Sequence, residues 1–383
     1  MNHNLQAILN AYQNRNENPT FLATVVCTQG STYRRPGARM LMTDQGKMTG
    51  MVSGGCLDHD IICHIQQQAP PHDPFLITYD TTVEEDLLWG FGLGCNGAVQ
   101  VLVECLESVS VCHPLTFIQS CFERQQPGVL ATVFRVEGNR QIPIGGRLTL
   151  HTDGSIDDTL VNAELRQAIA EDARIVLSQA ETIHRHYPLS VGQVDVLFEF
   201  IQLPTQLILF GAGRDAVPLA KFAKTLGWYL TIVDCRALET TRERFAISDQ
   251  IILTHRDAVS QQVAIAQNTV AVVMTHNYHD DVEILKMLLQ SSANYIGVLG
   301  SRQRSERLLK TLRQETSVDM AENRLYAPIG LDIGAETPEE IAISIVAEIQ
   351  AVLTHHKAGF LRYRQTPIHQ LASQSQKFTY ATL

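Results

Sequence analysis

The chain has 383 residues, 45% of them apolar and 18% charged, with a net charge of −10. That length implies two or three domains, and the negative balance excludes a general nucleic-acid binder, which carries a basic face. No run reaches 18 apolar residues, so no membrane helix is expected, and the polar start Met1-Asn2-His3-Asn4 shows no signal-peptide pattern. Eight cysteines without a regular framework suggest reduced thiols in a cytoplasmic protein.

In chain order, Leu5, Ile8, Leu9 and Tyr12 recur at helical spacing, so residues 5–15 are expected to be a helix. Strands are expected over 21–27, 39–43 and 47–53, a helix over 58–67, and strands over 75–79 and 98–104. The order then starts again. Shifting the sequence by 108 residues matches Leu22-Ala23-Thr24-Val25 to Leu130-Ala131-Thr132-Val133. The same shift matches Gly30, Gly37, Arg39 and Gly46 to Gly138, Gly145, Arg147 and Gly154. Unrelated stretches of that length share roughly one or two identities, so an internal repeat is inferred. The units close alike too, at Gly97–Glu104 and Gly192–Glu199. Their limits are about 5–107 and 113–202, inside a duplicated mixed α/β domain over 1–203.

Residues 204–354 have a different rhythm. Apolar strands are expected at 206–210, 229–233, 250–253, 269–274 and 295–298, with helical stretches between them. Such alternation implies a Rossmann-like, doubly wound parallel sheet. A last helix is expected over 338–353, with Thr337 as its cap, Pro338 in its first turn and acidic Glu339-Glu340 at its positive end. Residues 355–383 form a polar tail.

The first repeat carries motifs that the second lacks. Ser53-Gly54-Gly55-Cys56 precedes a helix, and a thiol there has a lowered pKa, suiting a nucleophile or a soft-metal ligand. The bland alternative is a small buried residue in a tight turn. The loop Gly90-Phe91-Gly92-Leu93-Gly94-Cys95-Asn96-Gly97 holds a second thiol, and backbone donors of Gly92 and Gly94 can meet an anion. Its alternative is a flexible lid. Arg34 and Arg35 suit a phosphate, and the second copy has Ile142 and Pro143 in their places. Arg39 recurs as Arg147 and is therefore read as structural. Cys27, Cys63, Cys105, Cys112, Cys121 and Cys235 are read as packing or surface thiols.

Gly211-Ala212-Gly213-Arg214-Asp215-Ala216 follows a strand and opens a helix, and Asp234 ends the next strand. That is the context of a dinucleotide fingerprint. The glycines would admit a diphosphate and Asp234 a ribose, so NAD(P) is possible. Asp215 opposes it by repelling an anion, partly offset by Arg214 and Arg236. His276 and His279, with Asp280 and Asp281, follow another strand at the sheet end where ligands bind, or form a surface run.

Taken together, several motifs resemble the XdhC/CoxI family, the xanthine dehydrogenase accessory factors. They are Gln29-Gly30-Ser31-Thr32-Tyr33-Arg34-Arg35-Pro36-Gly37, Ser53-Gly54-Gly55-Cys56, Gly92-Leu93-Gly94-Cys95-Asn96-Gly97, Phe210–Leu219, Gly297–Arg302 and Pro328–Ala342. The likeness covers roughly residues 5–370. It departs at Asp58, where a Glu commonly follows the Cys-Leu pair. The resemblance implies a factor that binds molybdenum cofactor (molybdopterin) and assists its sulfuration with a cysteine desulfurase. It also implies delivery to a xanthine dehydrogenase-type molybdoenzyme. The cofactor-binding residues expected are Cys56 and Cys95 at the metal, with Ser53, Gly54, Gly55, Arg34, Arg35, Gly92 and Gly94. In the Rossmann part they are Gly211, Gly213, Arg214, Asp215 and Asp234. A homodimer is expected. No close nucleophile–base pair marks a hydrolase, so binding and handover are expected rather than turnover. The alternatives are an NAD(P)-dependent oxidoreductase and a thiol redox enzyme using Cys56 and Cys95.

Overall fold

A computed structural model describes residues 2–15, 19–43, 45–67, 73–80, 97–106, 112–138, 141–189, 192–315 and 324–365; for Asn2, His3 and Cys56 it describes only the backbone. The chain forms two compact units that meet in sequence at Leu203 and Pro204.

The first unit contains one motif twice. The first copy runs α1 (Asn2–Gln13), β1 (Thr20–Gly30), β2 (Arg39–Thr43), β3 (Met48–Gly50), α2 (Cys56–Gln67), β4 (Phe75–Asp80) and β5 (Gly97–Cys105). The second runs α3 (Pro114–Arg124), β6 (Gly128–Glu137), β7 (Arg147–His151), β8 (Ile156–Asp158), α4 (Ala163–Gln179), β9 (Ile183–Pro188) and β10 (Gln193–Ile201). Each copy builds a five-stranded antiparallel sheet, in the orders β3-β2-β1-β5-β4 and β8-β7-β6-β10-β9. The duplication expected from the 108-residue offset is therefore present in the fold.

Alternation along the central strands separates two apolar faces. Phe21, Ala23 and Val25 of β1 pack with Ile61 and Ile65 of α2, and Val129, Ala131 and Val133 of β6 pack with Leu165 and Ile169 of α4. The opposite faces meet each other, with Val26 and Leu102 from one sheet clustering with Phe134 and Leu197 from the other. Both central strands carry a β-bulge, at Val25/Cys27 in β1 and opposite Asp195/Val196 in β6.

Two buried ion pairs are exchanged between the copies. Arg39 Nη2 of β2 lies 2.6 Å from Glu199 Oε2 of β10, and Arg147 of β7 pairs with Glu104 of β5. Each arginine also donates to a glycine carbonyl two residues back, Gly37 O at 3.0 Å and Gly145 O at 3.1 Å. Those glycines have φ of +89° and +83°, and a Cβ on either would lie within 2.8 Å of the facing Glu carboxylate. Arg39 is structural, as its recurrence implies.

The third strand is shorter than the expected 47–53. Gly50, at φ +84°, ends it, and the N–H groups of Val52 and Ser53 donate to Asp58 Oδ1 rather than to a neighbouring strand.

The second unit runs β11 (Gln206–Phe210), α5 (Ala216–Thr225), β12 (Tyr229–Asp234), α6 (Thr240–Arg244), β13 (Gln250–Leu253), α7 (Val259–Gln262), β14 (Thr269–Val273), α8 (Tyr278–Gln290), β15 (Tyr295–Val298), α9 (Arg302–Glu315), β16 (Leu325–Tyr326) and α10 (Pro338–Leu353). Its sheet is parallel throughout, in the order β13-β12-β11-β14-β15-β16. Numbered within the unit, that is 3-2-1-4-5-6, the Rossmann order with its switch point between β11 and β14. The short α6, α7 and β16 carry too few apolar positions to be seen in the sequence. Among the described residues no helix is long and apolar enough to cross a membrane.

Candidate functional site

Three segments of the first copy converge at one end of its sheet. The β1–β2 loop presents Tyr33, 65% exposed, with Arg34 half-buried and Arg35 exposed. Among the described residues no ion pair engages either arginine, so both charges are available to an anion. The Tyr33 ring lies over Gly54, 3.8 Å from where its Cβ would be. Gly97, the first residue of β5, is pressed against the same loop: a Cβ there would lie 2.5 Å from Gln29 O and 2.6 Å from Ser31 O. Gly92, Gly94 and Cys95 lie outside the described residues. Their segment leaves the sheet after Asp80, paired with Ala98, and rejoins it at Gly97, paired with Gly30.

The turn into α2 is built around Ser53. Its hydroxyl donates to Asp58 Oδ1 at 2.9 Å and accepts from the N–H groups of Gly55 at 3.0 Å and Leu57 at 3.1 Å. Ser53 is thus the scaffold of the turn, and Asp58 its anchor. Gly55, at φ +115°, has nothing within 4 Å of its Cβ direction, so the space before α2 is open. Cys56 is the first helical residue, a position that favours a thiolate. The second copy differs here: Asn162 caps α4, accepting from Leu165 N–H at 2.9 Å. A side chain closes the helix end in one copy, and bare glycines leave it open in the other.

Other thiols contrast with Cys56. Burial pushes Cys27 and Cys112 up to about 11, and Cys121 and Cys235 up to about 12. Such thiols are inert near neutrality. Among the described residues, no group of three or more His, Cys, Asp and Glu side chains could hold a metal ion.

In the Rossmann unit the fingerprint forms the expected strand–turn–helix. Gly211 has φ +125°, its N–H donates to Val233 O at 2.9 Å, and a Cβ there would lie 2.3 Å from Met274 O. Only glycine fits. Arg244 Nη1 donates to Ala212 O at 2.6 Å and steadies the turn. Arg214 is exposed. Asp215 stands at the cap of α5 but makes no capping hydrogen bond. Its Oδ2 meets His276 Nε2 at 2.8 Å, while its Oδ1 would lie 2.2 Å from a Cβ on Gly213. His276 holds a left-handed backbone, φ +62°. His279 points elsewhere, edge-on to Tyr278, and Asp281 is buried against Arg304 at 2.6 Å.

Asp234 is 1% exposed. Its carboxylate accepts from Thr241 Oγ1 at 2.7 Å and from the N–H groups of Arg236 and Leu238 at 3.0 and 3.4 Å. Burial alone would raise its pKa, but these hydrogen bonds and Arg236 hold it below the usual carboxylate value. The residue expected to meet a ribose is engaged by its own loop.

The sequence singled out Asp215 and His276 separately and missed their pairing, because they are 61 residues apart. It also missed the Glu104 and Glu199 partners. Their signal was the common close of the two repeats, where both carboxylates stand in matching positions.

Fold and site define a two-unit α/β protein, a duplicated antiparallel sandwich followed by a Rossmann unit. The XdhC and CoxI family profile matches residues 14–80 and 121–188, one stretch in each copy. The XdhC Rossmann domain profile matches residues 207–349. The chain belongs to the XdhC and CoxI family. It is 33% identical over 328 residues to a probable xanthine dehydrogenase subunit of Bacillus subtilis, covering 86% of this chain and 91% of that one. It is 20% identical to the molybdenum cofactor insertion chaperone PaoD of Escherichia coli, covering 88% of this chain and 84% of the relative. A crystal structure described as a xanthine dehydrogenase from Bacillus halodurans has a TM-score of 0.74 and 28% identity, covering 92% of this chain and 96% of that one.

Proposed function

We propose that this chain is a maturation factor that holds molybdenum cofactor, assists its sulfuration with a cysteine desulfurase, and hands it to a xanthine dehydrogenase-type enzyme. The observation that carries this is the convergence, in the first copy alone, of an unpaired basic loop, an open glycine turn and a thiol at a helix start. The names of the Bacillus subtilis and Escherichia coli relatives point the same way. The donor set fits the cargo's chemistry. Arg34 and Arg35 suit its phosphate, and Cys56, with Cys95, suits a soft thiophilic metal. Gly54 and Gly55 leave room for a bulky ligand beside Cys56.

The test is molybdenum and phosphorus analysis of the purified chain and two variants. Cys56→Ala should lose at least half of the bound molybdenum while keeping the wild-type melting temperature. Arg34→Ala with Arg35→Ala should weaken molybdopterin binding and flatten its salt dependence, because exposed charges are screened by salt. Full loading in the first variant removes Cys56 from the metal. Unchanged affinity and salt slope in the second removes the arginines from the phosphate.

A further inference from the structure

At the C-terminal ends of the Rossmann strands lies an apolar cavity of about 80 Å³, lined among others by Leu219, Met274, Leu299 and Ile341. Two carboxylates, Asp215 and Glu336, stand among otherwise uncharged lining residues. A buried water needs about 10–15 Å³ by this measure, so the cavity has room for roughly six waters, the size of one six-membered ring. It lies at the sheet end where this fold takes ligands.

The charge is opposite to what a diphosphate needs. The second fingerprint glycine omits a side chain so that phosphate can approach the backbone. Here that face is covered by Asp215 Oδ1, and Oδ2 is held in place by His276. A carboxylate already occupies the anion's seat.

We infer that this crevice binds a planar, uncharged heterocycle through its N–H edge, with Asp215 as the acceptor, and disfavours dinucleotides. The fitting edge is the 2-amino-4-oxopyrimidine shared by guanine and pterins. Its two parallel N–H groups match the two oxygens of a carboxylate, as a guanidinium does. The apolar walls would cover the ring faces. Oδ2 retains a second lone pair beside the His276 contact, and Oδ1 faces the open side of Gly213. Where the heterocycle is a pterin, the inference deepens the cofactor reading above; where it is guanine, it stands apart from it.

The experiment is calorimetric titration of the full chain with pterin, guanosine and NAD, none of which carries molybdenum. Molybdenum loading by Cys56 is therefore tested separately. Pterin or guanosine should bind more tightly than NAD, and whichever binds identifies the source. Asp215→Asn should weaken that ring's binding at least tenfold and strengthen NAD binding, with the melting temperature unchanged. If Asp215→Asn folds poorly, Glu336→Gln at the other carboxylate should weaken ring binding at least threefold. NAD binding tighter than either ring overturns the inference. So does ring affinity unchanged in both variants, or no binding of either ring.

Discussion

Truncating Glu199 to Ala would leave the Arg39 guanidinium buried without its counter-charge. Both side chains are no more than 5% exposed. Removing one partner of such a pair costs roughly 3–5 kcal/mol, whereas replacing both with apolar residues is often close to neutral. Urea unfolding should therefore show a large loss for Glu199→Ala and a recovery of most of it in Arg39→Met with Glu199→Leu. A loss below about 1 kcal/mol in the single variant would deny the pair its structural weight. Half of this arrangement was legible in the sequence. Arg39 matches Arg147, and three matched glycine pairs (30/138, 37/145 and 46/154) all occupy positive φ. Identity between diverged copies survives where the backbone or a buried charge permits no alternative. The partner carboxylates were hidden because they lie 160 and 43 residues from their arginines.

Helix ends show how unevenly local chemistry can be read at the scale of elements. The start of α10 was legible, since Thr337 accepts from Glu340 N–H at 3.3 Å and the Glu340 side chain accepts from Thr337 N–H at 2.9 Å. That is a capping box, written in adjacent residues. The start of α3 was not. Its cap is His113, whose Nδ1 accepts from Thr116 N–H at 3.3 Å while Nε2 meets the Tyr12 hydroxyl at 3.0 Å. Burial, reinforced by Arg147 and Arg15, pushes this imidazole down to about 4. The unfolded chain takes up the proton near pH 6.5 and the folded chain only near 4, so stability falls as the pH drops through that window. At about 1.4 kcal/mol per unit, the loss is on the order of 3 kcal/mol. His113→Asn keeps a capping side chain without titrating. Its urea midpoint should change less between pH 7 and pH 4.5 than that of the wild type. Parallel profiles would assign the acid sensitivity to other groups.

On the scale of the whole molecule, two rhythms of the sequence became two units: a motif repeated at 108 residues and an alternation of strands and helices. Both are periodic signals, and periodicity needs no knowledge of distant contacts. The function of the crevice is not periodic. It depends on His276 at the end of β14 meeting Asp215 at the start of α5, a contact made only when the sheet assembles. The turn between β11 and α5 is correspondingly intolerant. Gly211→Ala would force a Cβ to within 2.3 Å of Met274 O at a φ of +125°. A cost of a few kcal/mol is expected from strain and overlap. Hydrogen exchange should then accelerate in β11, β12 and β14 while the amides of β1 and β6 keep their protection. Equal loss across both units would mean that they do not open separately.

The exchanged arginine–glutamate pairs have one more consequence. Each copy offers an arginine and receives one at an equivalent position, which is the contact pattern of a two-fold symmetric homodimer. Folding this interface into a single polypeptide makes its two halves permanently present in equal number. One half can then abandon the binding loops and serve purely as the other's partner. Asymmetry of this kind is denied to an assembly of identical chains, where every substitution appears on both sides at once.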